Sequence, residues 1–380
     1  MSDFMKIGDI CDILNGYAFK SSKYVDDGIR VIRITNVQKG FVEDTNPQYY
    51  PVSEQWEIEK YMLHEGDLLI SLTGNVGRVG LLSAELLPAA LNQRVACIRV
   101  RNPAVIYKPF LFHLLNSDHF ENRCIFASQG VAQKNMSTEW LKEYQIPSFS
   151  MDKQMEIASI FDKIDALIVS RKEQVRNLDQ VVKSRFIELF GDPVSNSMGL
   201  PTEPMTTVCA IIDGDRGKNY PKQDEFSDTG CCLFLNAKNV TATGFSFENL
   251  MFITKEKDNA LHNGKLERGD VVLTTRGTLG NLAFYDDSVP FENVRINSGM
   301  VILRMKKSVM TEVFFMEQFK LQLQSIKGKI ASGSAQPQLP ISTMNKIRIL
   351  LAPMALQEQF AAFVEQTDKS KLCGKMEVAA

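Results

Sequence analysis

The chain has 380 residues, enough for two or three domains that each bury a core, and its 44% hydrophobic and 23% charged residues are those of an ordinary globular protein. A formal net charge of −2 excludes a globally basic nucleic-acid binder but not a basic face balanced by acids elsewhere. No apolar run approaches the roughly 20 residues that span a bilayer, no basic-then-apolar leader opens the chain, and seven cysteines without a Cys-x-x-Cys pair fit neither a disulfide framework nor a zinc site, so a cytoplasmic protein with structural thiols, no metal and no membrane association is expected.

In chain order, the first β-type runs are 30–34, 67–72 and 94–100, rich in aliphatic residues and bounded by Gly or Asn turns. A helix follows near 109–124, with Pro109 in its first turn. From Met151 to Phe190 there is neither proline nor glycine, and Ile157, Phe161, Ile164, Ile168, Val175, Leu178, Val182 and Leu189 keep an alternating 4 and 3 spacing, with Arg171 and Arg185 in the two remaining seam positions. That spacing predicts a helical rod of roughly 60 Å with a coiled-coil seam that needs a partner. Gly191-Asp192-Pro193 stops it.

The pattern then begins again. Runs at 232–235, 270–275 and 300–305 precede a helix near 312–328, and a shared offset of 203 residues carries Asn36-Val37 onto Asn239-Val240, Gly66-Asp67 onto Gly269-Asp270, Gly74 and Gly77 onto Gly277 and Gly280, and Gln154 onto Gln357. Small slips, such as Arg99 onto Arg304, are loop-sized insertions in one duplicated unit. A period this long is a domain duplication, not a solenoid. Phe360 and Val364 match Ile157 and Phe161, so a second helix is expected to pair with the first, although it breaks at Gly374 after about half the length. The expected fold is α/β in the mixed α+β sense. Two similar globules, 1–150 and 192–354, alternate with a long helix, 151–191, and a shortened one, 355–380, the helices forming an antiparallel coiled coil.

No catalytic constellation is present: the phosphate-binding Gly-x-x-x-x-Gly-Lys loop, His-Glu-x-x-His and Gly-x-Ser-x-Gly are all missing. Asp213-Gly214-Asp215-Arg216-Gly217 lacks the remaining ligands of a calcium loop and reads as a solvated turn. Two repeated loops remain. The Gly-x-x-Gly turns carry Thr73, Asn75 and Arg78 in one copy and Arg276, Thr278 and Asn281 in the other. An amide-rich stretch holds Gln133 and Asn135, then Gln336 and Gln338. Arg, Asn and Gln can contact phosphates or read base edges bidentately, or the amides can cap the elements that follow. Polar residues that differ between matched positions are what two readers of different sequences would carry.

The order of a variable globule, Ile146-Pro147 leading into Asp152-Lys153-Gln154-Met155-Glu156-Ile157-Ala158, a helix ending Ser184-Arg185-Phe186-Ile187-Glu188-Leu189-Phe190-Gly191-Asp192-Pro193, and a second globule resembles the specificity subunit of type I restriction-modification systems. Gly16-Tyr17-Ala18-Phe19-Lys20-Ser21-Ser22 also resembles that family. The resemblance implies a non-catalytic subunit without cofactor, in which two target recognition domains each read half of a split, asymmetric site on double-stranded DNA. It further implies partners: modification (methyltransferase) subunits, two in number, and restriction subunits bound through the modification complex. The second reading is a coiled-coil interaction scaffold without functional DNA recognition.

Overall fold

The computed structural model describes residues 4–128, 135–217, 219–331 and 338–379, and these divide into two compact units, Met1–Val169 and Ser170–Ala380. Both share two larger sheets, beside a two-stranded one that pairs Phe4–Lys6 with Gln145–Pro147 in the first unit and Thr202–Pro204 with Arg348–Leu350 in the second. In the first unit Cys11–Asn15, Val95–Val100, Leu68–Ser71 and Val79–Leu81 lie side by side antiparallel, with Leu69 opposite both Cys97 and Gly80. Ile29–Ile32 runs between Tyr49–Tyr50, antiparallel, and Ala89–Leu91, parallel. In the second unit Cys209–Asp213, Met300–Met305, Asp270–Thr274 and Leu282–Tyr285 take the first four places, and Phe252–Ile253, Cys232–Leu235 and Val294–Ile296 repeat the smaller sheet. One difference is that Gly40–Phe41 adds a fifth strand to the first large sheet, whereas Val240–Thr241 pairs with Gly244–Phe245. Central strands such as Leu68–Ser71 and Asp270–Thr274 are buried on both faces, which explains their unbroken apolar runs where alternation would mark a half-exposed strand.

The predicted first helix is two: α1, Lys108–Leu115, with Pro109 in its first turn, and α2, Asp118–Ala127. The break falls where Ser117 accepts the Phe120 N–H at 3.2 Å and caps the second piece. The long helix, α3, covers Met151–Phe190. In the second copy α4, Glu312–Ala331, is continuous, and α5 covers Met354–Ala379. The expected break at Gly374 is therefore corrected, since the helix passes through it. An interior glycine costs about 1 kcal/mol relative to alanine, which weakens a helix without ending it.

The seam of α3 also needs a correction. Near its C-terminal end the deeply buried side chains are Val182, Phe186 and Phe190, whereas Arg185 and Leu189, which a strict heptad places inside, are only half-buried. A straight helix drifts about 20° per heptad away from a 3.5-residue repeat. Here the end of α3 packs into a globular core with Phe314, Phe360 and Val364, so it follows the 3.6-residue period. Among the other seam residues Ile157, Ile168, Val175 and Leu178 are half-buried, and Phe161 and Ile164 are exposed. Phe360 and Val364 belong to α5, which runs antiparallel to this part of α3, with Lys371 bound to Asp179 at 2.8 Å.

Every thiol whose side chain is described is free, and all but that of Cys231 are buried. Burial pushes Cys11, Cys124, Cys209 and Cys232 up to about 12 and raises Cys97 as well. Since the thiolate is the reactive species, these five should resist a disulfide-exchange reagent at pH 8 in native buffer and react only in denaturant. Rapid native labelling of any of them, mapped by mass spectrometry, would contradict this packing.

Candidate nucleic-acid interface

Each Gly-x-x-Gly turn leaves the end of a buried central strand. Its glycines have left-handed φ values of 68° and 87° at Gly74 and Gly77, and of 73° and 80° at Gly277 and Gly280, a region open to glycine at little steric cost. Gly77 has a second reason: an added Cβ would lie 2.6 Å from the Cys124 Cβ. The last residue of the strand ties the turn from inside. Ser71 Oγ accepts the Arg78 N–H at 3.1 Å and donates to the Asn75 carbonyl, and Thr274 Oγ1 accepts the Asn281 N–H at 2.9 Å and donates to the Thr278 carbonyl. A hydroxyl at this position fixes both turns without fixing the exposed side chains.

The residues that end the amide-rich stretch and follow it, Asn135-Met136 and Gln338-Leu339, dock on the turn of their copy. The Met136 N–H donates to the Leu72 carbonyl at 2.9 Å and the Leu339 N–H to the Thr275 carbonyl at 3.0 Å, and single β-bridges join Thr73 to Asn135 and Arg276 to Gln338. Residues some 60 positions apart thus share one surface in each copy. Asn75 and Asn135 are exposed there with Thr73 half-buried, and Arg276, Thr278 and Gln338 are exposed in the second unit. Gln133 and Gln336 lie outside the described residues.

Arg78 and Asn281 have other engagements. Arg78 Nη1 donates to Gln38 Oε1 at 2.8 Å and Asn281 Nδ2 to the Val240 carbonyl at 2.9 Å. Both therefore anchor the turn to the loop after the smaller sheet, a positioning role that their place in the sequence did not reveal. That neighbouring loop is itself held by a repeated residue. Asn36 accepts the Arg33 N–H and donates to the carbonyls of Glu43 and Thr45, while Asn239 accepts the Asn236 N–H and donates to those of Ser246 and Asn249.

In the second unit the surface includes a cleft of about 210 Å³ lined by Asp213, Arg216, Thr275, Arg276 and Gln338 among others. Arg216 pairs with Asp213 at 3.1 Å. The segment around it is not a solvated turn, because Asp215 is buried and accepts the His262 N–H at 2.6 Å. The signal that could have flagged it is Gly214 and its counterpart Gly16. An added Cβ on either would come within 2.2 Å of a backbone oxygen, that of Asn297 or of Asn92, so both strand ends pass hard against the same neighbour. Among the described residues no three His, Cys, Asp or Glu side chains gather as a metal site, and no helix is long and apolar enough to cross a membrane.

The repeated glycines and asparagines thus shape each turn and its neighbouring loop, and at the matched positions on the surface Thr73, Asn75 and Asn135 of one copy stand where the other has Arg276, Thr278 and Gln338. The chain is 26% identical over 185 residues to the type I restriction enzyme MjaVIII specificity subunit of Methanocaldococcus jannaschii, covering 48% of this chain and 43% of that one. It is 22% identical over 326 residues to the EcoBI specificity subunit of Escherichia coli, covering 79% and 64%. Less than two thirds of either relative is thus spanned. In fold, it is similar to the crystal structure of a type I restriction-modification system S subunit from M. genitalium, with a TM-score of 0.51 and 16% identity over 99% of this chain and 91% of that one. The family model for the type I restriction modification DNA specificity domain matches twice, at residues 1–178 and 206–374, once for each copy, and the chain belongs to that family.

Proposed function

We propose that the protein is the non-catalytic DNA-reading subunit of a type I restriction-modification enzyme, recognising a bipartite, asymmetric site and directing modification and restriction subunits to it. The observation that carries this reading is the pair of matched two-loop surfaces, alike in their buried ties and unlike in their outward residues. Arg276 and Gln338 in one copy, and Asn75 and Asn135 in the other, are side-chain types that pair bidentately with purine edges in the major groove. Different sets on equivalent frames would read different half-sites. Two modification subunits, one near each reader, would suit a site methylated on both sides of its gap.

Two half-sites read from one face of B-DNA lie about 34–36 Å apart per helical turn, and α3 is the natural spacer between readers. Mapping methylated adenines in cells expressing the complete system should return a split motif with an unspecified gap. Inserting one turn into α3, about four residues, should change the gap and leave both halves as they were. A continuous motif, or a gap indifferent to the insertion, would remove this reading. The scaffold reading predicts instead that the complex assembles without salt-sensitive DNA binding, which a titration at two salt concentrations decides.

A further inference from the structure

The two copies carry different charge at equivalent places beside the Gly-x-x-Gly turn. Strand register sets the correspondence. Asn15 lies opposite Ala96 and Asp213 opposite Val301, each one residue before the glycine that passes against Asn92 or Asn297. Three residues further on, Ala18 matches Arg216, and the bridges to Asn135 and Gln338 match Thr73 with Arg276. The second unit therefore lines its cleft with Asp213, Arg216 and Arg276, where the first has Asn15, Ala18 and Thr73.

Asp213 is the unexpected member of this set. A surface that only gripped the DNA backbone would gather cations, whereas a carboxylate repels phosphate. Asp213 ends the strand Cys209–Asp213, its side chain is 30% exposed, and it shares the cleft with Arg276 and Gln338. Both of its oxygens face one guanidinium nitrogen. Arg216 Nη2 donates to Asp213 Oδ1 at 3.2 Å, lies 3.1 Å from Oδ2 and also donates to the Ser298 carbonyl at 3.3 Å. The pair is electrically neutral, so Arg216 has little left to attract phosphate. The carboxylate accepts no other side-chain or backbone hydrogen bond among the described residues. An ionised carboxylate has about four acceptor positions, so most of its accepting capacity is unused.

We infer that Asp213 is a specificity-determining residue of the second unit: its carboxylate, held by Arg216, accepts from an exocyclic amino group of cytosine or adenine in the major groove. Both bases present such a donor on that edge, whereas phosphate and the oxygens of guanine and thymine only accept. An amino group satisfies the carboxylate. Any other edge leaves a charged acceptor desolvated and unpaired, so Asp213 discriminates by what it rejects as well as by what it binds. Asn15, which is neutral, imposes no such demand in the first unit. The inference rests on the DNA reading proposed above and names what one side chain of that surface requires.

The test uses the full chain assembled with its modification subunits. Two duplexes, one carrying the mapped motif and one with its second half scrambled, are titrated at several salt concentrations. Asp213→Ala should lower the preference for the motif by about 10-fold or more. Part of this should come from tighter binding of the scrambled duplex, with a salt slope steeper by about one, because Arg216 is freed to meet phosphate. Asp213→Asn should steepen the slope equally yet keep part of the preference, since an amide oxygen still accepts. Arg216→Ala should instead weaken the scrambled duplex, leaving a bare carboxylate against the backbone. Cytosines of the second half are then replaced singly by pyrimidin-2-one and adenines by purine, each lacking only the amino group. One such replacement should cost the unaltered protein about 10-fold and the Asp213→Ala protein nothing, and its place identifies the base. These replacements need no variant, so they decide even where Asp213→Ala is unstable. If the unaltered complex does not distinguish the two duplexes, the DNA reading falls and the inference with it. If it distinguishes them and no amino-group deletion matters, or Asp213→Ala keeps the full preference and salt slope, the inference alone is overturned.

Discussion

Arg276→Ala should weaken binding through one half of the DNA site by about 1–3 kcal/mol, roughly 5- to 150-fold, and leave the other half untouched. Arg276 is the cationic member of the outward set in the second unit, and its backbone is held on both sides: its N–H donates to Gly299 at 3.3 Å, and it bridges to Gln338. The guanidinium is thus presented from a fixed frame, which lowers the ordering cost of a bidentate contact. The measurement is a pair of titrations, using duplexes altered in one half-site or the other after the motif has been mapped. If Arg276 reads a base, the loss should be confined to the cognate duplex. If it only neutralises a phosphate, the loss should be similar on every duplex and the salt slope should fall by about one. Equal affinity on all duplexes would remove Arg276 from the interface.

The parts of this fold legible in the sequence are those where one residue type does a job no other can do. Paired glycines recur because both turns need left-handed φ, and the Asn that satisfies a loop backbone and the Gln at the start of each long helix recur because each makes the same set of hydrogen bonds in both copies. Their recurrence exposed the duplication and placed the turns. The amide-rich stretch was legible as composition, but its docking beside the turn depends on backbone bonds from Met136 and Leu339, which any residue except proline could supply. The tethers of Arg78 to Gln38 and of Asn281 to the Val240 carbonyl were not legible, because a tethered side chain and a free one have the same chemistry. Helix register failed for a related reason. A heptad count assumes that a partner helix alone sets the register, whereas the end of α3 meets a globular core as well as α5 and buries Phe186 and Phe190.

Arg304→Ala should destabilise the second unit by about 2–3 kcal/mol. The buried carboxylate of Asp270, 1% exposed, receives Arg304 Nε and Nη2 at 2.8 Å each and the Glu267 N–H at 2.7 Å. Asp67 and Arg99 repeat the arrangement in the first unit, with the His64 N–H as the third donor. Removing the cation strands a buried negative charge, which typically costs about 3–5 kcal/mol; the lower figure follows because the Arg304 side chain is 31% exposed and water can partly replace it. Arg304→Lys should recover only part of the loss, since an ammonium cannot make the two parallel bonds. Asp270→Asn added to Arg304→Ala should cost less than the sum of the single changes, because no unpaired charge then remains. Denaturant unfolding gives the energies, and hydrogen exchange in Asp270–Thr274 and Met300–Met305 shows where they act. The effect should also reach recognition, because Thr274 ends the strand and ties the turn that carries Arg276. A loss below about 0.5 kcal/mol, the range of an ordinary surface substitution, would mean that the pair orders the strand without stabilising it.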